Sequence, residues 1–144
     1  MANQQGLANK VLTGSSGKLW FNGKLLANLS KIEAKVKGDF ETVEFCGDNA
    51  TYSVYNGWSG EGTLTVKKVD STIWKICADA YKSGVMPDIK LVSSVTDKAT
   101  GKSEKASIEG VVITEFLLAG FESKKMIEEE FPFNFGDFEP IEDI

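Results

Sequence analysis

The sequence predicts a mainly β protein, a sandwich or barrel of antiparallel strands with one flanking α-helix from about Ser71 to Ser83. Apolar and polar residues alternate with a period of two in several segments, whereas only one segment has helical spacing. Turn-forming residues separate these segments at short intervals. We expect a single domain over residues 1–144, because a chain of this length buries a sufficient core without disulfides or metals.

The N-terminal residues 1–17 are polar and glycine-bearing, and we predict that they form a flexible arm. Residues 18–29 predict a short hairpin, because Asn22-Gly23 accepts the positive φ angles of a type I′ turn. Leu19 and Phe21 share one face of this hairpin, and Trp20 points away from them. We expect Trp20 to pack against a neighbouring element.

Two longer strands follow, and the rest of the chain is organised around them. In the first, Ile32, Ala34 and Val36 alternate with charged residues, and alternation resumes after a kink or bulge near Gly38 and Asp39. Residues 62–69 predict the antiparallel partner of this strand. Between them, residues 47–60 are predicted to form a long loop with a functional role, because the segment is too long for a tight turn and is rich in Tyr and Trp.

The predicted helix follows residues 62–69. Its apolar residues recur at the spacing of one helix face, Gly84 is placed to end it and Pro87 prevents its extension. Residues 88–96 and 103–116 predict a hairpin, and residues 126–138 predict an extended segment with three phenylalanines on one face. Residues 139–144 are predicted to be an acidic tail.

Composition argues against nucleic-acid recognition and against catalysis. The net charge is −5, which is opposite in sign to what phosphate binding requires. There is no histidine, and the consecutive Glu128, Glu129 and Glu130 point to alternate faces of a strand and therefore do not pair across one bond. Cys46 and Cys77 lack metal-site spacing and are predicted to be buried. We predict no enzyme activity, no cofactor, no metal and no membrane anchor.

Two binding functions remain open on these observations. Tyr52, Tyr55 and Trp58 are candidates for an aromatic platform that binds a glycan or a peptide, as in a monomeric β-sandwich binding module. Alternatively, these side chains and the strand edges are buried against other copies of the same chain. Composition alone does not choose between the two.

Three stretches resemble the tail tube proteins of contractile phage tails. They are Gly17 to Gly23 (GKLWFNG) with Ile32-Glu33-Ala34, Gly60 to Val69 (GEGTLTVKKV), and Glu128 to Phe138 (EEEFPFNFGDF). The sequence is most similar to the XkdM-like branch found in Gram-positive prophages and phage-tail-like bacteriocins. The resemblance covers almost the whole chain in the same order.

The resemblance implies a virion structural protein that forms hexameric rings, which stack into the inner tube of a contractile tail or bacteriocin. It implies contacts with the sheath, baseplate and tail terminator proteins, and with a tape measure protein in the lumen during assembly. DNA is then a transient cargo in an infectious phage and absent from a bacteriocin, and assembly takes place in the host cytoplasm. The chain's negative charge suits a lumen to which DNA adheres weakly.

The expected roles of individual residues follow from this picture. Tyr52, Tyr55, Trp58 and Trp20 are predicted to lie at inter-subunit interfaces, and the loop over residues 47–60 and the N-terminal arm are predicted to reach the next ring. Lys75, Asp79 and Lys82 on the polar face of the helix are predicted to face the sheath. The polar rows of the two long strands are predicted to face the lumen: Glu33, Lys35, Lys37, Thr42, Glu44, Thr63, Thr65 and Lys67.

Overall fold

A computed structural model describes residues 4–144. Its elements, in chain order, are helix α1 (Gln5–Ala8), a 3₁₀ turn (Gly14–Ser16), strands β1 (Gly17–Phe21), β2 (Lys24–Leu25), β3 (Leu29–Glu44) and β4 (Thr51–Lys67), helix α2 (Thr72–Ser83), and strands β5 (Ile89–Thr96), β6 (Ser103–Ile113), β7 (Glu128–Phe135) and β8 (Asp137–Glu142).

The strands form two antiparallel layers that share β6. One layer has the order β2-β1-β5-β6-β8, and the other joins the end of β6 to β7, β4 and β3. Gly110 adopts a positive φ of 64° at the point where β6 leaves the first layer and enters the second. The predicted mainly β fold with one flanking helix of several turns is therefore confirmed.

The core lies between the two layers and under α2. It is built from alternate residues of the strands, because one side of each strand faces inward. Leu64 of β4 is paired with Phe131 of β7, and both are almost completely buried. The other members include Leu19, Phe21, Val66, Ile73, Cys77, Ile89, Leu91, Ile108, Val111, Ile113, Phe133 and Phe135.

The predicted short hairpin and helix are both confirmed. Asn22 and Gly23 have φ angles of 51° and 84° between β1 and β2, and Leu19 and Phe21 are buried as expected. Helix α2 begins one residue later than predicted, where the Asp70 carboxylate accepts the Thr72 N–H at 3.2 Å. It ends at Ser83, and Gly84 follows as its cap with a φ of 75°.

The prediction of a long loop over residues 47–60 is wrong. The turn occupies only residues 45–50, and β4 begins at Thr51, so β3 and β4 form one continuous hairpin. Gly60, the last residue of the predicted loop, has another role in the strand. Cβ atoms at Gly60 and at Gly62, which was predicted to begin the strand, would collide with the rings of Phe135 and Phe133, so both glycines leave room for core aromatics.

Other segments also differ from expectation. Cys46 is exposed in the β3–β4 turn, whereas Cys77 is buried as predicted. Strand β6 ends at Ile113, three residues earlier than predicted. The predicted acidic tail over residues 139–144 is wrong for most of its length, because β8 pairs with β6 there and Glu142 lies 3.7 Å from Lys105.

The N-terminal arm is described in part. Residues 1–3 of the predicted arm lie outside the described residues, residues 4–16 contain the two short helical turns, and Gly17 already belongs to β1. Leu7, Val11 and Leu12 in this segment are exposed.

Candidate functional site: assembly surfaces

The far part of the β3–β4 hairpin projects beyond the layers. Strand β7 pairs with β4 only as far as Gly60, opposite Phe135. Of the strands that the structure describes, β3 is therefore the sole partner of residues 51–59. We call residues 38–57 the distal hairpin. A two-stranded ribbon without a third strand or a covering layer is only marginally stable in water.

The distal hairpin contains a bulge in β4. Asp39 pairs with Gly57 and Phe40 pairs with Tyr55, so Asn56 is an extra residue without a partner in β3. The predicted bulge therefore lies in β4, and β3 alternates without interruption.

The distal hairpin exposes large apolar side chains on both faces. Phe40 packs edge-on against Tyr55 on one face, with ring centroids 5.6 Å apart. On the other face, the rings of Phe45 and Tyr52 lie 5.9 Å apart. Each of these four side chains is exposed, and so are those of Val36 and Val54.

This geometry does not support an aromatic platform. Tyr52 is opposite Val43 and Tyr55 is opposite Phe40, so the two tyrosines lie on different faces of the ribbon. Trp58 is half-buried at the base of the distal hairpin, where its ring contacts those of Phe135 and Phe138. No single surface presents the three side chains together.

The turn of the distal hairpin is held by Asp48. Its carboxylate accepts the Tyr52 hydroxyl at 2.6 Å and the Ala50 N–H at 2.9 Å. These two hydrogen bonds hold the pKa of Asp48 below its usual range, and the bond from Tyr52 contributes more than the bond from Ala50. The hydrogen bond between Tyr52 and Asp48 also raises the pKa of Tyr52. Residues 38–57 contain four acidic residues (Asp39, Glu41, Glu44 and Asp48) and no Lys or Arg.

The predicted lumen residues separate into two groups. Six of them share the polar face of the β3–β4 sheet opposite the core: Glu33, Lys35, Lys37, Thr63, Thr65 and Lys67. Thr42 and Glu44 lie on the opposite face of β3, because its alternation is not reset near Gly38, and their predicted place in the same row is wrong. Thr65 is only 6% exposed, so neighbouring side chains already cover it.

Charges on this polar face are balanced. With the aligned part of β7, it carries four lysines and four glutamates: Lys31, Lys35, Lys37, Lys67, Glu33, Glu61, Glu128 and Glu130. Glu33 lies 2.9 Å from Lys35 and 3.6 Å from Lys31. The hydrogen bond from Lys35 and its positive charge lower the pKa of Glu33. The hydrogen bond to Glu33 and the negative charge of Glu33 raise the pKa of Lys35. The chain's net negative charge is therefore not concentrated here.

The remaining predicted residues lie on outer surfaces. Lys75, Asp79 and Lys82 are exposed on the solvent side of α2, and Trp20 is half-buried on β1.

Two features were missed by sequence reasoning. One is the exposure of the apolar side chains within residues 117–127, of which Phe121 and Met126 are more than 80% exposed. The other is the buried carboxylate of Glu129, which lies 3.3 Å from Lys68. A run of three glutamates is typical of an exposed strand, so the sequence gives no signal of this burial.

Within residues 4–144, no helix is long and apolar enough to cross a membrane, and no group of ligating side chains is arranged to hold a metal ion.

The fold is similar to those of solved tail and injection-system proteins. A chain in the cryo-EM structure of the anti-feeding prophage tube terminating cap matches with a TM-score of 0.76 and 7% identity, over 92% of both chains. A chain of the extended sheath-tube complex of the extracellular contractile injection system PVC matches with a TM-score of 0.73 and 9% identity, over 99% of both. The SPP1 tail tube matches with a TM-score of 0.68 and 14% identity, over 93% of this chain and 81% of that one.

Two relatives from Bacillus subtilis (strain 168) match at the level of sequence. The uncharacterized protein YqbM is 30% identical over 139 residues, and the phage-like element PBSX protein XkdM is 28% identical over 139 residues. Each match covers 95% of both chains. The family described as "Phage tail tube protein" matches residues 5–142, so this chain belongs to the phage tail tube protein family, as the motifs of its sequence predicted.

Proposed function

We propose that this tail tube protein assembles as stacked hexameric rings into the inner tube of a contractile tail or bacteriocin, which sheath contraction drives through the target cell envelope. The observation that carries the proposal is the distal hairpin. It exposes aromatic residues on both faces, and a surface of this kind normally marks an interface with another protein molecule.

Rings use the free edges of the sheets. Among residues 4–144, strand β3 pairs only with β4 along its 16 residues, so its other edge presents backbone groups that no described strand pairs. Pairing of that edge with a neighbouring copy removes it, and closure of six copies leaves no edge in the ring. Obligate interfaces of this type bury on the order of 2,000 Å² or more.

Stacking uses the distal hairpin and the N-terminal arm. Tyr52, Tyr55 and the other exposed aromatics of residues 38–57 contact the next ring, and the exposed Leu7 and Val11 make the arm a second contact. Trp58 and Trp20, both half-buried, complete their packing against neighbouring subunits. Contacts between rings are head-to-tail and do not close, so they generate a filament.

The polar face of the β3–β4 sheet lines the lumen. Glu33, Lys35, Lys37, Thr63 and Lys67 face the channel, and Thr65 lies beneath them. A face with equal numbers of lysines and glutamates has no basic field to retain phosphates, so DNA passes through it in a phage particle. During assembly the same channel holds the tape measure protein.

The outer surface of the tube faces the sheath. Lys75, Asp79 and Lys82 on α2 contact the sheath protein, while ends of the tube contact the baseplate and the tail terminator. Solved assemblies that contain this fold include a sheath-tube complex, a sheath/tube terminator and a six-fold symmetrised baseplate. Assembly in the host cytoplasm precedes incorporation into the tail or tail-like particle.

Negative-stain electron microscopy of the purified protein at rising concentration tests the proposal. We expect rings or hollow tubes with six-fold end views. Uniform monomer-sized particles at every concentration, also in the presence of preformed tube ends, would contradict it.

The lumen assignment has its own test. Glu33→Lys adds two units of positive charge to the channel per subunit, whereas Glu33→Gln removes the ion pairs of Glu33 without adding a cation. In a DNA-carrying particle, we expect Glu33→Lys to slow ejection and Glu33→Gln to leave it close to wild type, with tubes of normal length in both. Equal ejection rates in all three particles would refute the assignment.

A further inference from the structure

We propose that the acidic distal hairpin of one copy docks into a basic, apolar groove at the other end of β3 in a second copy. This inference rests on the proposed function, since it names the surface of the neighbouring subunit that receives the hairpin.

The receiving groove lies beneath the β1–β2 hairpin and the start of β3. It has a volume of about 470 Å³ and is lined by Lys18, Leu25, Leu26, Leu29, Lys31 and Ile32, together with parts of β5. Leu25 is 46% exposed, and the side chains of Leu26, Leu29 and Ile32 are only partly buried. A groove of this size and character accommodates one or two aromatic side chains.

The charges of the two surfaces are complementary. Residues 17–31 contain three lysines and no acidic residue, whereas residues 38–57 contain four acidic residues and no basic one. Lys18 makes no ion pair within residues 4–144, and Lys31 has only a 3.6 Å contact with Glu33. None of the four hairpin carboxylates forms an ion pair in the same part of the chain. Each surface therefore carries charge that its own chain leaves unneutralised.

The positions of the two surfaces exclude contact within one copy. Ile32 and Glu44 lie at opposite ends of one continuous strand, about 40 Å apart at the usual rise per residue. Each copy thus offers one hairpin and one groove, facing opposite ways along the strand. Such a pair of surfaces joins copies head-to-tail, and repetition of the contact extends a filament.

Charge-reversal variants test the docking. The hairpin variant is Asp39→Lys with Glu44→Lys, because neither residue contributes a side-chain hydrogen bond within residues 4–144. The groove variant is Lys18→Glu with Lys31→Glu, and a swapped chain carries all four changes. Matched controls are Lys98→Glu with Lys102→Glu in the exposed β5–β6 turn, and Asp88→Lys with Glu104→Lys.

Sedimentation at rising protein concentration gives the readout. We expect the hairpin and groove variants each to raise the concentration for half-assembly about tenfold or more, because like charges then face each other. We expect the swapped chain to have a half-assembly concentration within about threefold of wild type. The control variants should also stay within that range. Added salt weakens wild-type assembly, since it screens the attraction.

The possible failures are distinct. The docking proposal is wrong, and the proposed function stands, if wild type forms tubes and the two reversals assemble like the controls. The same conclusion follows if wild type forms tubes and the swapped chain assembles no more readily than either reversal. If association depends on both reversals but electron microscopy shows no hollow tubes, the docking proposal holds and the proposed function fails. A wild-type chain that stays monomeric under all conditions contradicts both.

Discussion

The two ends of the β3–β4 hairpin have the same strand pairing but opposite environments. At the base, Leu64 and Val66 are 1% and 3% exposed, because β7 pairs with β4 there and the second layer covers the inner face. At the tip, Phe40 and Tyr55 are 57% and 59% exposed, although the same two strands continue. Alternation and β propensity are therefore enough to form the ribbon, whereas burial depends on a third strand and an opposing layer. In the proposed assembly, the surface that covers the tip belongs to another copy of the chain.

The largest expected difference between the two ends concerns stability. Phe131 is fully buried beside Leu64, so Phe131→Ala should lower the free energy of unfolding by about 3–5 kcal/mol. Tyr55→Ala removes an exposed ring and its contact with Phe40, and should lower that free energy by no more than about 1 kcal/mol. Urea unfolding below the assembly concentration measures both. Equal losses in the two variants would mean that the monomer already packs its distal hairpin.

The two cysteines report on the same contrast. Burial, with a smaller contribution from the charge of Glu129, raises the pKa of Cys77 to about 11, whereas Cys46 is exposed at the tip. The thiolate is the reactive form, so the raised pKa alone slows Cys77 by on the order of 100-fold at pH 8. Labelling with a thiol reagent, followed by peptide mapping, should modify Cys46 first in free protein. Protection of Cys46 should increase in assembled tubes, and fast labelling of Cys77 in folded protein would contradict the packing of α2.

Two glycines sharpen the account of why the base is packed. A Cβ at Gly62 would collide with the Glu33 carbonyl oxygen and approach the Phe133 ring to 2.7 Å, so Gly62→Ala should cost about 1–3 kcal/mol of stability. At Gly136, an added Cβ meets no atom within 4 Å and φ is not positive, so Gly136→Ala should change stability by less than about 0.5 kcal/mol. Thermal unfolding measures the stability of both variants. If Gly62→Ala is as stable as wild type, the base of the hairpin has space for a Cβ atom at Gly62, which contradicts the packing in the structure.

The smallest expected effect concerns the acid sensitivity of the tip. The pKa of Asp48 is lowered in the folded chain, so its contribution is fully present above the unfolded pKa of about 3.9 and is lost as pH falls through the folded value. Amide exchange at Ala50, corrected for its intrinsic pH dependence, should therefore accelerate as pH falls from 6 to 3. Asp48→Asn should abolish this pH dependence, and an unchanged profile in that variant would show that Asp48 does not hold the turn.

Much of the fold follows from local sequence signals. The type I′ turn at Asn22-Gly23, helix α2 with its Gly84 terminus, and the antiparallel pairing of residues 62–69 with the strand that contains Ile32 were all predictable from spacing and turn chemistry. These features depend on residues close in sequence, or on alternation strong enough to fix which face is buried.

The errors arose where a residue's role depends on distant parts of the chain. Gly60 was assigned to a loop because glycine is common in turns, whereas the Phe135 ring packs where its Cβ would lie. Thr42 and Glu44 were assigned to the wrong face because a bulge was predicted near Gly38 in β3, whereas the extra residue is Asn56 in β4. The strand β8 was taken for a tail because its partner, β6, lies about thirty residues earlier in the chain.

Hydrogen exchange of the distal hairpin tests the central claim most directly. Backbone amides of residues 38–57 and of the β4–β7 base are compared in free protein and in assembled tubes. We predict that the base is protected in both states, whereas the distal hairpin exchanges rapidly when free and becomes protected on assembly. A distal hairpin that is equally unprotected in both states would show that it is not an inter-subunit contact, and would contradict the account given for it.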